Sequence, residues 1–73
     1  MKIYALTILG KKLGKSVTNP NTPAYDAIYF LSEHGVATLE QIARHCGLNE
    51  REALEVMARL KRNRPPVVVS SGS

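Results

Sequence analysis

Apolar positions along this chain follow two spacings, and the switches between them mark the elements. Ile3 to Ile8 alternates weakly and is built of Ile, Tyr, Leu and Thr, side chains that suit a pleated surface, so this run predicts a strand. Val67-Val68-Val69, just beyond Pro65-Pro66, predicts a second. Between these runs the apolar residues recur at helical spacing. Ala24, Ala27, Ile28 and Leu31 form one stripe, widened by Tyr25, Tyr29 and Phe30. Thr22 can cap this helix, Pro23 suits its first position, and Gly35 stands where it ends. Leu39, Ile42, Ala43 and Cys46 form a shorter stripe, and Ala53, Leu54, Met57 and Leu60 the inner face of a helix running to about Asn63. Gly10 and Gly14 bracket Lys11-Lys12-Leu13, which reads as a short helical turn. Residues 16–23 read as a turn-rich linker, Val36-Ala37 as a very short strand or extended link, and residues 70–73 as a Ser/Gly tail.

Two of the helix starts carry the same signature. In Thr38-Leu39-Glu40-Gln41 the threonine hydroxyl accepts from a free backbone N–H, and the glutamine three residues on reaches back to the threonine backbone. Asn49-Glu50-Arg51-Glu52 repeats that logic. Gly47 lies between the two, supplying a turn conformation that other residues enter at a cost. The expected fold is α+β: one domain over residues 1–73, three helices, and a short sheet made by the N- and C-terminal strands. After Pro66 too few residues follow for a two-stranded hairpin, so either that unit is truncated or the N-terminal strand supplies the partner. The expectation adopted is that the two terminal strands pair, since neither has another partner.

The 73-residue length suffices for one small domain and leaves little chain to enclose a large enzyme pocket. Net charge is +4, unevenly placed. Lys2, Lys11, Lys12 and Lys15 stand near the start without an acid, Arg51, Arg59, Lys61, Arg62 and Arg64 near the end, and the centre is mildly acidic. If the ends meet, they form a basic face that attracts a polyanion. A single cysteine, Cys46, allows no internal disulfide and fits a reducing cytoplasm. No stretch approaches a membrane span, and the Ile3–Leu9 run lacks the cleavage site of a signal peptide.

The run from Thr38 to about Arg62 resembles a helix-turn-helix: Ala43 is small where two helices cross, Gly47 follows four residues later, and Leu48 is an apolar anchor. With a helix before it and a strand after it, the chain resembles the winged helix-turn-helix superfamily of small archaeal and bacterial transcriptional regulators, which share a stretch similar to Ala37-Thr38-Leu39-Glu40-Gln41-Ile42-Ala43. Tyr4-Ala5-Leu6-Thr7-Ile8-Leu9-Gly10 is also similar to the segment that often closes a wing there, although here it comes first. The resemblance implies double-stranded DNA as partner, with helix 49–62 in the major groove. It makes Asn49, Glu50, Arg51, Glu55 and Arg59 the base-reading positions, since Asn and Arg match adenine and guanine edges and Glu accepts from cytosine. Thr38, Lys11, Lys12, Lys15, Arg62 and Arg64 become phosphate contacts. A homodimer in the cytoplasm, associated with the nucleoid, is the matching expectation.

Glu50, Glu52 and Glu55 stand against that reading, because each repels phosphate unless aimed at a base or an arginine. Glutamates near a helix N-terminus are also ordinary partners of the macrodipole, and Glu55–Arg59 has the spacing of an ion pair. The alternative is a winged helix whose acidic third helix docks a partner protein. Enzymatic chemistry, a metal and a cofactor are not expected. His34, His45 and Cys46 lack ligand spacing, and Gly10-Lys11-Lys12-Leu13-Gly14 lacks the Lys-Ser/Thr ending of a phosphate loop. Cys46 reads as a small core residue at the turn, and His45 as an exposed helix-end cation.

Overall fold

A computed structural model describes residues 2–17 and 21–71. In chain order the elements are β1 (Ile3–Leu6), α1 (Ile8–Ser16), α2 (Pro23–His34), β2 (Val36–Thr38), α3 (Leu39–Cys46), α4 (Glu50–Arg62) and β3 (Val68–Ser71). The three strands form one antiparallel sheet in the order β2-β1-β3. The expected pairing of the chain ends is present: Ala5 lies opposite Val69 and Leu6 opposite Val68, and the Thr7 amide donates to the Val67 carbonyl at 3.0 Å. β2 joins β1 on its other side, with Tyr4 opposite Ala37. The sheet therefore uses an internal segment as well as the two ends.

Four expectations are corrected. Among the described residues there are four helices, not three, because Gly10-Lys11-Lys12-Leu13-Gly14 sits inside α1, a nine-residue helix, instead of forming a short turn. The first strand stops at Leu6, since Thr7 turns the chain and caps α1, leaving Ile8 77% exposed. Ser70 and Ser71 belong to β3 and not to a tail, while residues 72–73 lie outside the described residues. Leu54, assigned to the inner face of α4, is 42% exposed. Of the linker expected over 16–23, residues 18–20 also lie outside the described residues.

α1 forms despite two glycines, each costing about 1 kcal/mol against alanine in a helix interior, because its inward face needs them. Gly10 and Gly14 are both buried. A Cβ on Gly10 would collide with the Val67 carbonyl oxygen, and one on Gly14 would stand 2.8 Å from Cβ of Ser32 on α2. The glycines thus let α1 lie flat against the sheet end and against α2, while Leu9 and Leu13 pack on the core. Thr7 ties this corner together: its hydroxyl oxygen accepts from the Gly10 amide at 3.2 Å, and its hydroxyl donates to the Pro66 carbonyl at 2.6 Å. Thr7→Ala should lower the unfolding free energy by about 1–2 kcal/mol, and Thr7→Ser should keep most of it, as read by chemical denaturation.

The core lies between the sheet's inner face and the helices, centred on Tyr4, Leu31, Ile42, Met57 and Val68. Side chains alternate along a strand, so Tyr4 and Leu6 face inward beside Ala37 and Val68. The opposite face carries Ile3, Val36 and Val69, all exposed.

Candidate nucleic-acid interface

The α3–α4 hairpin is set by its caps. Thr38 Oγ1 accepts from the Gln41 amide at 3.2 Å while Gln41 Oε1 accepts from the Thr38 amide at 2.9 Å. Asn49 Oδ1 accepts from the Glu52 amide at 2.8 Å and Glu52 Oε1 from the Asn49 amide at 3.2 Å. Both boxes read from the sequence are therefore present. Gly47 closes α3 in the left-handed conformation (φ 69°), and the Leu48 amide then reaches back to the Ala43 carbonyl at 2.9 Å. Ala43 is buried, and Leu48 is half-buried at the turn.

On a helix of 3.6 residues per turn, Arg51, Glu55 and Arg62 fall opposite the buried Ala53, Met57 and Leu60, with Arg59 beside them. All four are exposed, as are Asn49 and Glu50. Two of the candidate reading residues are less free than the sequence suggests. Asn49 already uses Oδ1 in the cap, so a bidentate contact to adenine would require giving up that bond. Glu50 occupies the first turn, where a carboxylate complements the helix dipole. Glu52 is tied to the cap as well, which leaves Glu55 as the one carboxylate on the outward stripe. The spacing-based Glu55–Arg59 ion pair does not form; among the described residues the one pair within ion-pair distance is His45–Asp26, joined by a hydrogen bond. Both side chains of the missing pair stay exposed and unlinked to each other.

The phosphate candidates divide into separate places. Arg62 ends α4, and Arg64 is exposed in the loop before β3. Thr38 keeps its hydroxyl proton available, because the cap uses the oxygen as acceptor. Lys11 and Lys15, however, line a cleft with Leu6, Leu31, Ser32 and Gly35, which no residue of α4 lines. Lys12 is exposed on the same helix. The chain ends do meet, yet the cation they bring to α4 is Lys2: it lines a cleft with Tyr4, Leu54, Ala58, Lys61 and Arg62. The single basic face expected from sequence is corrected to two clusters, because α1 packs against α2 while β1 packs at the centre of the sheet.

The chain matches no family model, no curated protein and no solved structure. What its site can do therefore rests on its own geometry. Among the described residues no three His, Cys, Asp or Glu side chains gather as a metal set, and no helix is long and apolar enough to cross a membrane.

One contact had no signal in the spacing. His45 Nε2 lies 2.9 Å from Asp26 Oδ1, joining α3 to α2, and its ring stacks on Phe30 at 4.5 Å between centroids. Phe30 also meets the His34 ring at 4.3 Å. His45 is thus exposed in the last turn of α3, as expected, and is also an interhelical tie. Asp26 and His45 are 19 residues apart, and only the α2–α3 crossing brings them together. Of the aromatic residues assigned to the apolar face of α2, Phe30 leans on the core, Tyr29 is half-buried, and Tyr25 is exposed.

Cys46 sits beside this tie, half-buried, with its thiol directed at the Pro23 carbonyl at 3.8 Å. Burial first, and the Asp26 charge second, push the thiol from 9.0 up to about 11. Because the native state holds this proton more tightly than the unfolded chain, its stabilising contribution is complete below pH 9 and is lost as pH rises toward 11. Alkylation by iodoacetamide at pH 8 should run about a hundredfold slower in the native protein than in urea, following the thiolate fractions. Equal rates would contradict this placement of Cys46.

Proposed function

We propose that this chain is a winged helix-turn-helix that binds double-stranded DNA with α4 in the major groove, as a small transcriptional regulator. The observation that carries the reading is the outward stripe of α4. Three arginines (Arg51, Arg59 and Arg62) project from a helix fixed at its start by a complete capping box and joined to α3 by a left-handed glycine turn. Two of the three glutamates that argued against DNA belong to the first turn of α4, one of them tied into the cap, so the acidity of the helix is largely accounted for by the helix itself. The antiparallel pair β1–β3 beside α4 corresponds in this reading to the wing, assembled from chain segments about as far apart as the sequence allows.

In this reading Arg51 and Arg59 address guanine edges and Glu55 a cytosine amino group, while Thr38, Arg62 and Arg64 take phosphates. Lys11, Lys12 and Lys15 remain proposed phosphate contacts only for DNA that reaches around to α1. A homodimer reading two half-sites, in the cytoplasm and on the nucleoid, completes the proposal. The test is binding to a short random-sequence duplex across a salt series. Affinity should fall steeply as salt rises, by about 0.9 in log–log slope for each phosphate neutralised. A flat response, or no binding at low salt, contradicts the reading and favours a protein partner.

A further inference from the structure

The cleft between β1 and the C-terminal half of α4 gathers three cations, of which the sequence singles out Arg62 alone as a phosphate contact. Lys2 comes from the start of the chain, and Lys61 and Arg62 from the last turn of α4; Tyr4, Leu54 and Ala58 supply the apolar part of its lining. Its volume is ≈ 180 Å³. Basic residues in the last turn of a helix have an ordinary role, since they complement the negative end of its dipole. That role explains Lys61 and Arg62 but not Lys2, which a different element carries to the same cleft. Nor is the charge neutralised from within: among the described residues none of the three forms an ion pair. Lys61 is also held in place, its Nζ donating to Ser70 Oγ on β3 at 2.8 Å. One of its three ammonium donors is spent on that bond, leaving two for a ligand.

We propose that this cleft holds one phosphate of the DNA backbone, with Lys2 and Lys61 as its direct contacts beside Arg62. The proposal rests on the DNA-binding reading above and extends it. Like charges held together on a partly apolar surface concentrate a positive potential that an anion relieves. The position fits as well. Leu54, Ala58, Lys61 and Arg62 form the strip of α4 next to the Arg51–Glu55–Arg59 stripe, so a strand of backbone seated in the cleft borders the groove that α4 enters. Contacts of this kind set register without reading sequence.

The experiment is the salt dependence of duplex binding for Lys2→Gln, Lys61→Gln, the charge-preserving Lys2→Arg and Lys61→Arg, and Ser70→Ala. Each glutamine variant should lower the log–log slope by part of the about 0.9 that one phosphate contributes. The Lys2→Gln/Lys61→Gln double variant should lower it by about 0.9, weakening binding about tenfold near 0.1 M salt, equally for every duplex, with the lines converging near 1 M. The arginine variants should keep the wild-type slope, which separates loss of charge from any disturbance of folding. Ser70→Ala should weaken binding severalfold at an unchanged slope, since it frees the ammonium without removing it. Wild-type binding with unaltered slopes in both glutamine variants overturns this inference alone. Absence of wild-type binding overturns both it and the DNA-binding reading.

Discussion

Gly10→Ala is expected to destabilise the domain by about 3 kcal/mol, the upper part of the range for forcing atoms into a packed interior. The new methyl would run into the backbone carbonyl oxygen of Val67 and stand 2.9 Å from Leu6 Cδ2. A backbone oxygen cannot rotate away as a flexible side chain can. That carbonyl also accepts from the Thr7 amide at 3.0 Å, so relief of the clash would loosen the corner joining β1, α1 and the approach to β3. In a domain of this size each kcal/mol moves the thermal midpoint by about 4–8 °C, so the midpoint should fall by more than about 10 °C. Gly47→Ala is the informative contrast. Nothing lies within 4 Å of a Cβ there, and the cost comes only from φ at 69°; about 1 kcal/mol is expected. A Gly10→Ala midpoint within a few degrees of wild type would contradict the close approach of α1 to the Val67 carbonyl.

The same pair of glycines shows what the sequence makes legible. Gly47 was readable because its role is local: it ends a capped helix by adopting a conformation written into its own dihedral angles. Gly10 was misread as punctuation because its role is tertiary, set by a carbonyl 57 residues away in the chain. Both capping boxes, the α3–α4 turn and the α2 boundaries were legible on the same local grounds. So was the β1–β3 pairing, by elimination, since two strand-like runs lacked other partners. The His45–Asp26 tie and the Lys2–Lys61–Arg62 cleft were not, because each joins residues whose separation carries no periodic signal. Leu54 was misplaced for a subtler reason: it lies on the flank of the apolar stripe of α4, and only the position of β1 decides whether that flank is covered.

Arg51→Ala with Arg59→Ala should remove most of the discrimination between a selected duplex and a random one while leaving general affinity for DNA largely in place. A bidentate arginine–guanine contact is worth about 1–3 kcal/mol of discrimination, so losing two should reduce the specificity ratio by about two orders of magnitude or more. Nearby Glu55→Gln should relax preference at one base position without a steep change in affinity, because a single carboxylate on that stripe repels phosphate little when it is aimed at a base. Asn49→Asp, which keeps the capping oxygen, should leave α4 intact; Asn49→Ala should cost about 1 kcal/mol of stability whatever it does to binding. Equal specificity ratios in wild type and the double arginine variant would move the reading surface away from α4.

The most direct measurement is a backbone-amide NMR titration of the full chain with a short DNA duplex at low salt. The account predicts the largest shifts along α4 from Arg51 to Arg62 and at Lys2, with little change at the outer sheet positions Val36 and Val69. Shifts centred on Ile3, Val36 and Val69, or none at all, would contradict it.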